Sequence, residues 1–146
     1  WNKMISNHKK GKRTWFYIDE FYLLMRSKTS SQYIAEIWKR ARKWNGFPTA
    51  ISQNVEDMLK SADARTVINN CSFIIILGQT AINKQQLSDM LNISKEEQKF
   101  ISTAKPGMGL LRIGDDIIPV DDSFPKNTQL YTIMTTKPSE NTQRPK

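Results

Sequence analysis

The sequence predicts an α/β fold: a mostly parallel sheet with flanking helices and a C-terminal β-hairpin. Three observations predict it. "TWFYI" (Thr14 to Ile18) and "SFIIIL" (Ser72 to Leu77) are almost continuously apolar, as strands buried in a parallel sheet are. Between them, apolar residues recur at helical spacing, and strands alternating with amphipathic helices imply β-α-β units. Then the texture changes: "GMGLLRIGDDIIPV" (Gly107 to Val120) reads as two strands around a Gly-Asp-Asp turn, a hairpin.

Each element has its own local reason. Trp1, Met4 and Ile5 share one helical face, and "HKKGK" ends that helix with charge and a glycine. Thr14 to Ile18 is the first strand, apolar enough to be covered on both faces. "RSKTSS" (Arg26 to Ser31) is a loop in which Thr29 and Gln32 have capping-box spacing. Ser31 to Trp44 places Ile34, Ile37, Trp38, Ala41 and Trp44 at helical spacing. Gly46 stops that helix and Pro48 prevents its continuation. "TAIS" (Thr49 to Ser52) is a short second strand. Asn54 suits the cap of a helix carrying Val55, Met58 and Leu59, and helix resumes over Thr66 to Asn70 after "SADART". Leu87, Met90 and Leu91 mark a short helix. "SKEE" (Ser94 to Glu97) is a second capping box and starts a helix with Phe100 and Ile101 on its apolar face. "LYTIM", within Pro125 to Thr136, reads as one more short strand. From Lys137 the chain is polar and proline-containing and reads as a disordered tail.

Composition bounds the function. The 146 residues suit one domain, and 38% hydrophobic with 25% charged residues is a globular balance. No apolar run approaches the roughly 20 residues of a membrane-spanning helix, and no signal peptide is visible. The chain begins at Trp1, as a processed protein or a piece of a longer one would. One cysteine, Cys71, cannot form an internal disulfide, which fits a reducing compartment; with a single histidine, His8, it cannot build a structural zinc site. The net charge of +8 is concentrated in "HKKGKR" (His8 to Arg13) and "WKRARK" (Trp38 to Lys43). Solvated loop and helix faces account for these runs. Nucleic acid stays open as a partner, without a recognition motif to support it.

The chemistry-bearing residues lie at strand ends. Ligands of parallel α/β sheets collect at the carboxyl ends of the strands. Asp19 and Glu20 follow the first strand, Gln53 closes the second, and Gln79 follows the third. Four apolar residues and then Asp form the Walker B pattern. The Asp would manage a nucleotide's magnesium, directly or through water, because magnesium takes hard oxygen ligands. A Glu directly after it can polarise the attacking water, and a neighbouring Gln can hydrogen-bond the water or the γ-phosphate. An arginine suits the charge that develops on the phosphoryl oxygens. The chain contains no G-x-x-x-x-G-K-[ST] phosphate loop. "KPGMG" (Lys105 to Gly109) lacks its spacing and stands before a strand.

"TWFYIDEFYLL", "EIWKRARKWNGFPTAISQN", "NNCSFIIILGQ" and "GLLRIGDDIIPVDDSFP" occur in an order that resembles the C-terminal part of type IV secretion and conjugation ATPases. These are hexamer-forming P-loop proteins of the HerA–FtsK group, and the sequence is most similar to TraE-type versions on Gram-positive integrative conjugative elements. The resemblance runs from about Thr14 to Pro138. It implies a RecA-like ATPase domain. Residues 1–138 would be its C-terminal portion, the Walker B half with Walker A upstream, and 139–146 a disordered tail. It implies ATP and magnesium as cofactors in the full-length protein. The chain alone would then be inactive, for want of the phosphate loop. Asp19 matches the Walker B aspartate and magnesium ligand, and Glu20 the catalytic glutamate. Gln53 matches the γ-phosphate-sensing glutamine. Arg42 and Lys43 match a basic pair of which one, Arg42 before Lys43, reaches a phosphate, in cis or across a subunit interface. Arg40 and Arg112 read as surface residues, Trp38 and Trp44 as core, and Gln79 divides between structure and site. The implied partners are further copies in a homo-hexamer, the secretion channel and coupling proteins. The implied location is cytoplasmic, peripheral at the inner face of the cell membrane and attached through those partners. A DNA-translocating coupling-type motor and a non-catalytic docking module of the secretion apparatus are the alternatives.

Overall fold

The computed structural model describes residues 1–53, 55–78 and 87–135. Helix α1 (Asn2–Lys9) leads into strand β1 (Thr14–Ile18), the short helix α2 (Tyr22–Met25) and the long helix α3 (Lys28–Ala41). A 3-10 turn (Arg42–Trp44) precedes β2 (Gly46–Ala50). Helices α4 (Val55–Lys60) and α5 (Ala62–Asn69) follow, then β3 (Phe73–Leu77) and a helical stretch at 87–91. Helix α6 (Lys95–Thr103), the hairpin β4 (Met108–Ile113) and β5 (Asp116–Asp121), and helix α7 (Gln129–Met134) complete the described chain.

The expected β-α-β unit is present. β1 and β2 pair in parallel, Thr14 opposite Gly46 through Ile18 opposite Ala50, with α3 as the crossover. The apolar stripe of α3 explains its place: Ile34, Ala35, Ile37, Trp38 and Ala41 are all buried. Of these, Ile34, Ala35, Ile37 and Trp38 meet Phe16 and Ile18 from β1, Phe21 and Met25 at and within α2, and Val67 from α5 in one core. A second core gathers Ile76 of β3, Leu110 of β4, Ile101 of α6, and Leu87, Leu91 and Ile93.

The hairpin is where the sequence places it, and β3 joins it. Among the described residues β3 runs antiparallel to β4, Phe73 opposite Ile113, and β5 closes a three-stranded sheet. Gly109 makes the β3–β4 approach feasible, since a Cβ there would run into the Ile76 carbonyl. Pro119 is accommodated because β5 is the edge strand.

Several local expectations need correction. "LYTIM" lies in helix α7, because the Thr128 side chain accepts the Tyr131 N–H and caps a helical turn. The Thr29/Gln32 capping box does not form. Helix α3 begins earlier, after Ser27, without a side-chain cap. Asn45, at φ 51°, rather than Gly46, reverses the chain after the 3-10 turn, which frees Gly46 to open β2 three residues before Thr49. β1 is covered on one face only within this chain: Trp15 and Tyr17 are 56% and 67% exposed. The Ser94–Glu97 box forms in full. The Asn54 cap, Gln79 and the 139–146 tail lie outside the described residues.

Candidate active site

The carboxyl edge of the parallel pair is stitched together by backbone bonds. Beyond the last ladder pair, the Ile51 N–H donates to the Ile18 carbonyl at 2.8 Å, and the Phe21 N–H donates to the Ile51 carbonyl at 2.9 Å. The two chain segments leaving β1 and β2 are therefore held side by side. Asp19 and Glu20 lie on one and Gln53 on the other.

These three residues come together as their spacing predicts. Gln53 Nε2 lies 3.5 Å from Glu20 Oε1. Asp19 Oδ1 accepts the Glu20 N–H at 2.9 Å and fixes the turn between the two acids. Glu20 itself has φ 47°, in the left-handed region. Phe21, next along, is fully buried. Its part in holding this turn is missed by a reading for charged and polar groups. The sign in the sequence is that apolar residues resume at once after the two acids.

Arg42 and Lys43 are at the other end. They precede β2, and the Asn45 carbonyl accepts the N–H of Thr14, the first residue of β1. A five-residue strand, about 17 Å at 3.3–3.4 Å per residue, separates them from the carboxyl edge. Within one chain the basic pair and the Asp19–Glu20–Gln53 group do not share a site. Both cations are exposed, and Lys43 Nζ sits 5.7 Å from the Trp44 ring centroid. Arg40 is a solvated helix residue paired with Glu36 at 2.9 Å. Arg112 donates through Nε to the Gly114 carbonyl at 2.9 Å on the hairpin. Trp38 is core, as its spacing predicts, and Trp44 is half-buried under the edges of His8 and Trp1.

The donor set suits a magnesium nucleotide better than a resident metal. Among the described residues no group of three or more His, Cys, Asp or Glu could hold a metal ion. Magnesium does not require one: it takes one or two carboxylates and fills its remaining positions with phosphates and water. Asp19 fits that role. Cys71 does not suit nucleophilic chemistry, since burial pushes its thiol up from the ordinary value.

The fold is that of a region of the P-loop ATPase domains. The chain belongs to the TraG P-loop domain family, whose description matches residues 2–107. Among solved structures it is similar to VirB4 of Thermoanaerobacter pseudethanolicus, with a TM-score of 0.76 and 25% identity over 86% of this chain. It spans 34% of that chain. No curated protein matches the sequence.

Proposed function

We propose that the chain is the hydrolytic half of the ATPase domain of a motor that powers conjugative DNA transfer and assembly of a type IV secretion channel. The observation that carries this reading is the convergence of Asp19, Glu20 and Gln53 on one carboxyl edge, with Glu20 and Gln53 3.5 Å apart. Family membership and the likeness to VirB4 support it.

Each residue then has a role. Asp19 holds the magnesium of bound ATP, directly or through a water; the ion supplies charge neutralisation on the phosphates. Glu20 orients the attacking water and takes its proton. Gln53 steadies the Glu20 carboxylate and reads the γ-phosphate. The β- and γ-phosphates need a phosphate loop from outside this sequence, so the chain by itself is inactive. The uncovered apolar faces of β1 and β3, with Trp15, Tyr17, Phe73, Ile75 and Leu77 exposed, offer the remainder of such a domain a surface to pack on.

Arg42 and Lys43, at the amino end of β2, serve a neighbouring copy. Of the two alternatives, cis and trans, only trans lets them reach a phosphate held at a carboxyl edge. A closed ring of copies in head-to-tail contact, a homo-hexamer, provides that geometry. The motor works at the inner face of the cell membrane through channel and coupling proteins. Among the described residues no helix is long and apolar enough to cross a membrane.

Glu20→Gln in the protein that carries this chain tests the reading: ATP is bound and hardly turned over. Turnover above about half of normal removes Glu20 from the role. The exposed Lys9, Lys10, Lys12 and Arg13 before β1 favour, as a second reading, a coupling-type motor that touches DNA. It requires DNA affinity that falls steeply with salt.

A further inference from the structure

Glu20 is held in a conformation its side chain does not favour. Three non-glycine residues have positive φ among the described residues: Glu20 at 47°, Asn45 at 51° and Asn92 at 55°. Asparagine tolerates this region, because its short amide bonds to nearby backbone. Glutamate has no such local compensation. A residue kept there needs surroundings that over-determine it, and such residues concentrate where geometry serves function.

The surroundings of Glu20 do this from both sides. Before it, Asp19 Oδ1 accepts its N–H at 2.9 Å. After it, its carbonyl accepts the Leu23 N–H at 2.9 Å. The strongest constraint is the next residue. The Phe21 ring is 0% exposed and tilts against Trp38, with centroids 5.3 Å apart at 60°. Its N–H donates to Ile51 at 2.9 Å, and the Ile51 N–H donates back to Ile18 at 2.8 Å. A closed circuit results, from the end of β1 through Phe21 to the segment carrying Gln53. Only Asp19 and Glu20 lie between the strand end and the anchored ring, and Glu20 adjoins the ring. Where the ring sits decides where the Glu20 Cα sits, and so where its carboxylate meets Gln53.

We infer that Phe21 is a positioning residue for Glu20. By burying its ring on Trp38 and bonding Ile51, it holds Glu20 in the left-handed turn that aims the carboxylate at Gln53 and at the water it would activate. Phe21 touches no reacting group. This rests on the hydrolytic reading above and adds to it what holds the base in place. A ring that served only the core would accept an apolar residue of similar volume at the expense of stability alone. A ring that aims a carboxylate would not, since small displacements of a catalytic group cost turnover steeply.

The test uses the ATPase that carries this chain, complete with its phosphate loop. Phe21→Leu, Glu20→Gln and wild type are compared in ATP-binding stoichiometry, in KM, and in kcat per bound nucleotide. Counting bound nucleotide removes any unfolded fraction, so a merely structural role would leave kcat per site unmoved. The inference predicts that Phe21→Leu keeps stoichiometry and KM within about twofold while kcat per site falls about tenfold or more. A smaller fall overturns it. If Phe21→Leu does not bind ATP at full stoichiometry, Trp38→Phe is measured instead; it shrinks the ring's partner from an indole to a phenyl and leaves Phe21. A fall in kcat per site of about threefold or more is then expected, and a smaller one overturns the inference. Glu20→Gln separates the two layers. Turnover retained there means that the hydrolytic reading has failed. Turnover lost there but kept in Phe21→Leu means that only the positioning role has failed.

Discussion

Gln53 places its side-chain amide 3.5 Å from the Glu20 carboxylate, although 33 positions separate the two in sequence. The contact exists because β1 and β2 are parallel neighbours whose backbone bonding continues past the last ladder pair, from Ile51 to Ile18. The pair acts as a unit in the proposed reaction. Gln53→Ala should therefore lower kcat by about tenfold to a hundredfold and leave KM for ATP nearly unchanged, because the donor acts on the base and the γ-phosphate. Steady-state ATP hydrolysis by the complete ATPase checks this. A change confined to KM would place Gln53 in nucleotide binding alone.

The strand length between Arg42 and the acid pair yields a mixing experiment. Arg42→Ala and Glu20→Gln should each be inactive alone. Mixed and reassembled, they should recover part of the activity, since some interfaces then join an intact Arg42 to an intact Glu20 from another copy. Recovery measured against the mixing ratio tests trans action. Full activity of Arg42→Ala by itself would remove the residue from the mechanism.

The left-handed turn at Glu20 has a thermodynamic signature independent of catalysis. At φ 47°, glycine meets no Cβ penalty and alanine does. Glu20→Gly should therefore be more stable than Glu20→Ala by about 1 kcal/mol, the reverse of the order expected in a helix or strand. Denaturant unfolding of the two variants checks the sign. Equal stability would mean that the turn relaxes in solution.

Asp63 gives the fold an acid-sensitive tie. Ser31, itself 2% exposed, donates to Asp63 Oδ2 at 2.6 Å, and Lys28 Nζ reaches the same oxygen at 3.1 Å. These bonds, the one from Ser31 first, hold the Asp63 carboxyl below its ordinary value of 3.8. A depressed folded value means that the stabilisation is present above the ordinary value and is lost as pH falls through the folded one. Asp63→Asn should then be less stable than the wild type at neutral pH, with the gap narrowing below an ordinary carboxyl's 3.8. Thermal unfolding across that range measures it. A gap constant with pH would assign the tie to packing.

The Ser94 cap offers a simpler stability check. Its side chain accepts the Glu97 N–H at 3.3 Å, while Glu97 Oε2 accepts the Ser94 N–H at 2.7 Å. Ser94→Ala should cost about 1 kcal/mol, read from chemical denaturation. No change would show that α6 is held by its packing on β4.

What was legible in the sequence followed its strongest periodicities. The apolar run before Asp19, the stripe of α3, the Gly-Asp-Asp hairpin and the Ser94 box are local signals, and local bonds realise them. The misses have physical causes. "LYTIM" is apolar without a period, so its state is decided by the Thr128 cap. "GFP" looks like a turn, and β2 takes it up because Asn45 supplies the reversal one residue earlier. The antiparallel partner of β3 lies over thirty residues on, beyond any local pattern. The acids and Gln53 meet because residues that follow parallel strands share an edge. The separation of Arg42 and Lys43 obeys the same rule, since residues that precede a strand lie at its other end. The buried ring of Phe21 carries no chemical signal of its own and becomes visible only through the turn it anchors.

The most direct test of the central claim is ATP turnover by the chain extended upstream through a phosphate loop, wild type against Glu20→Gln. The account predicts robust hydrolysis in the wild type and its near-complete loss in the variant, with ATP still bound. Hydrolysis unchanged in Glu20→Gln, or absent from both forms at high protein concentration, would contradict it. In the second case Asp19 and Glu20 would be a strand end without chemistry, in a docking module of the secretion apparatus.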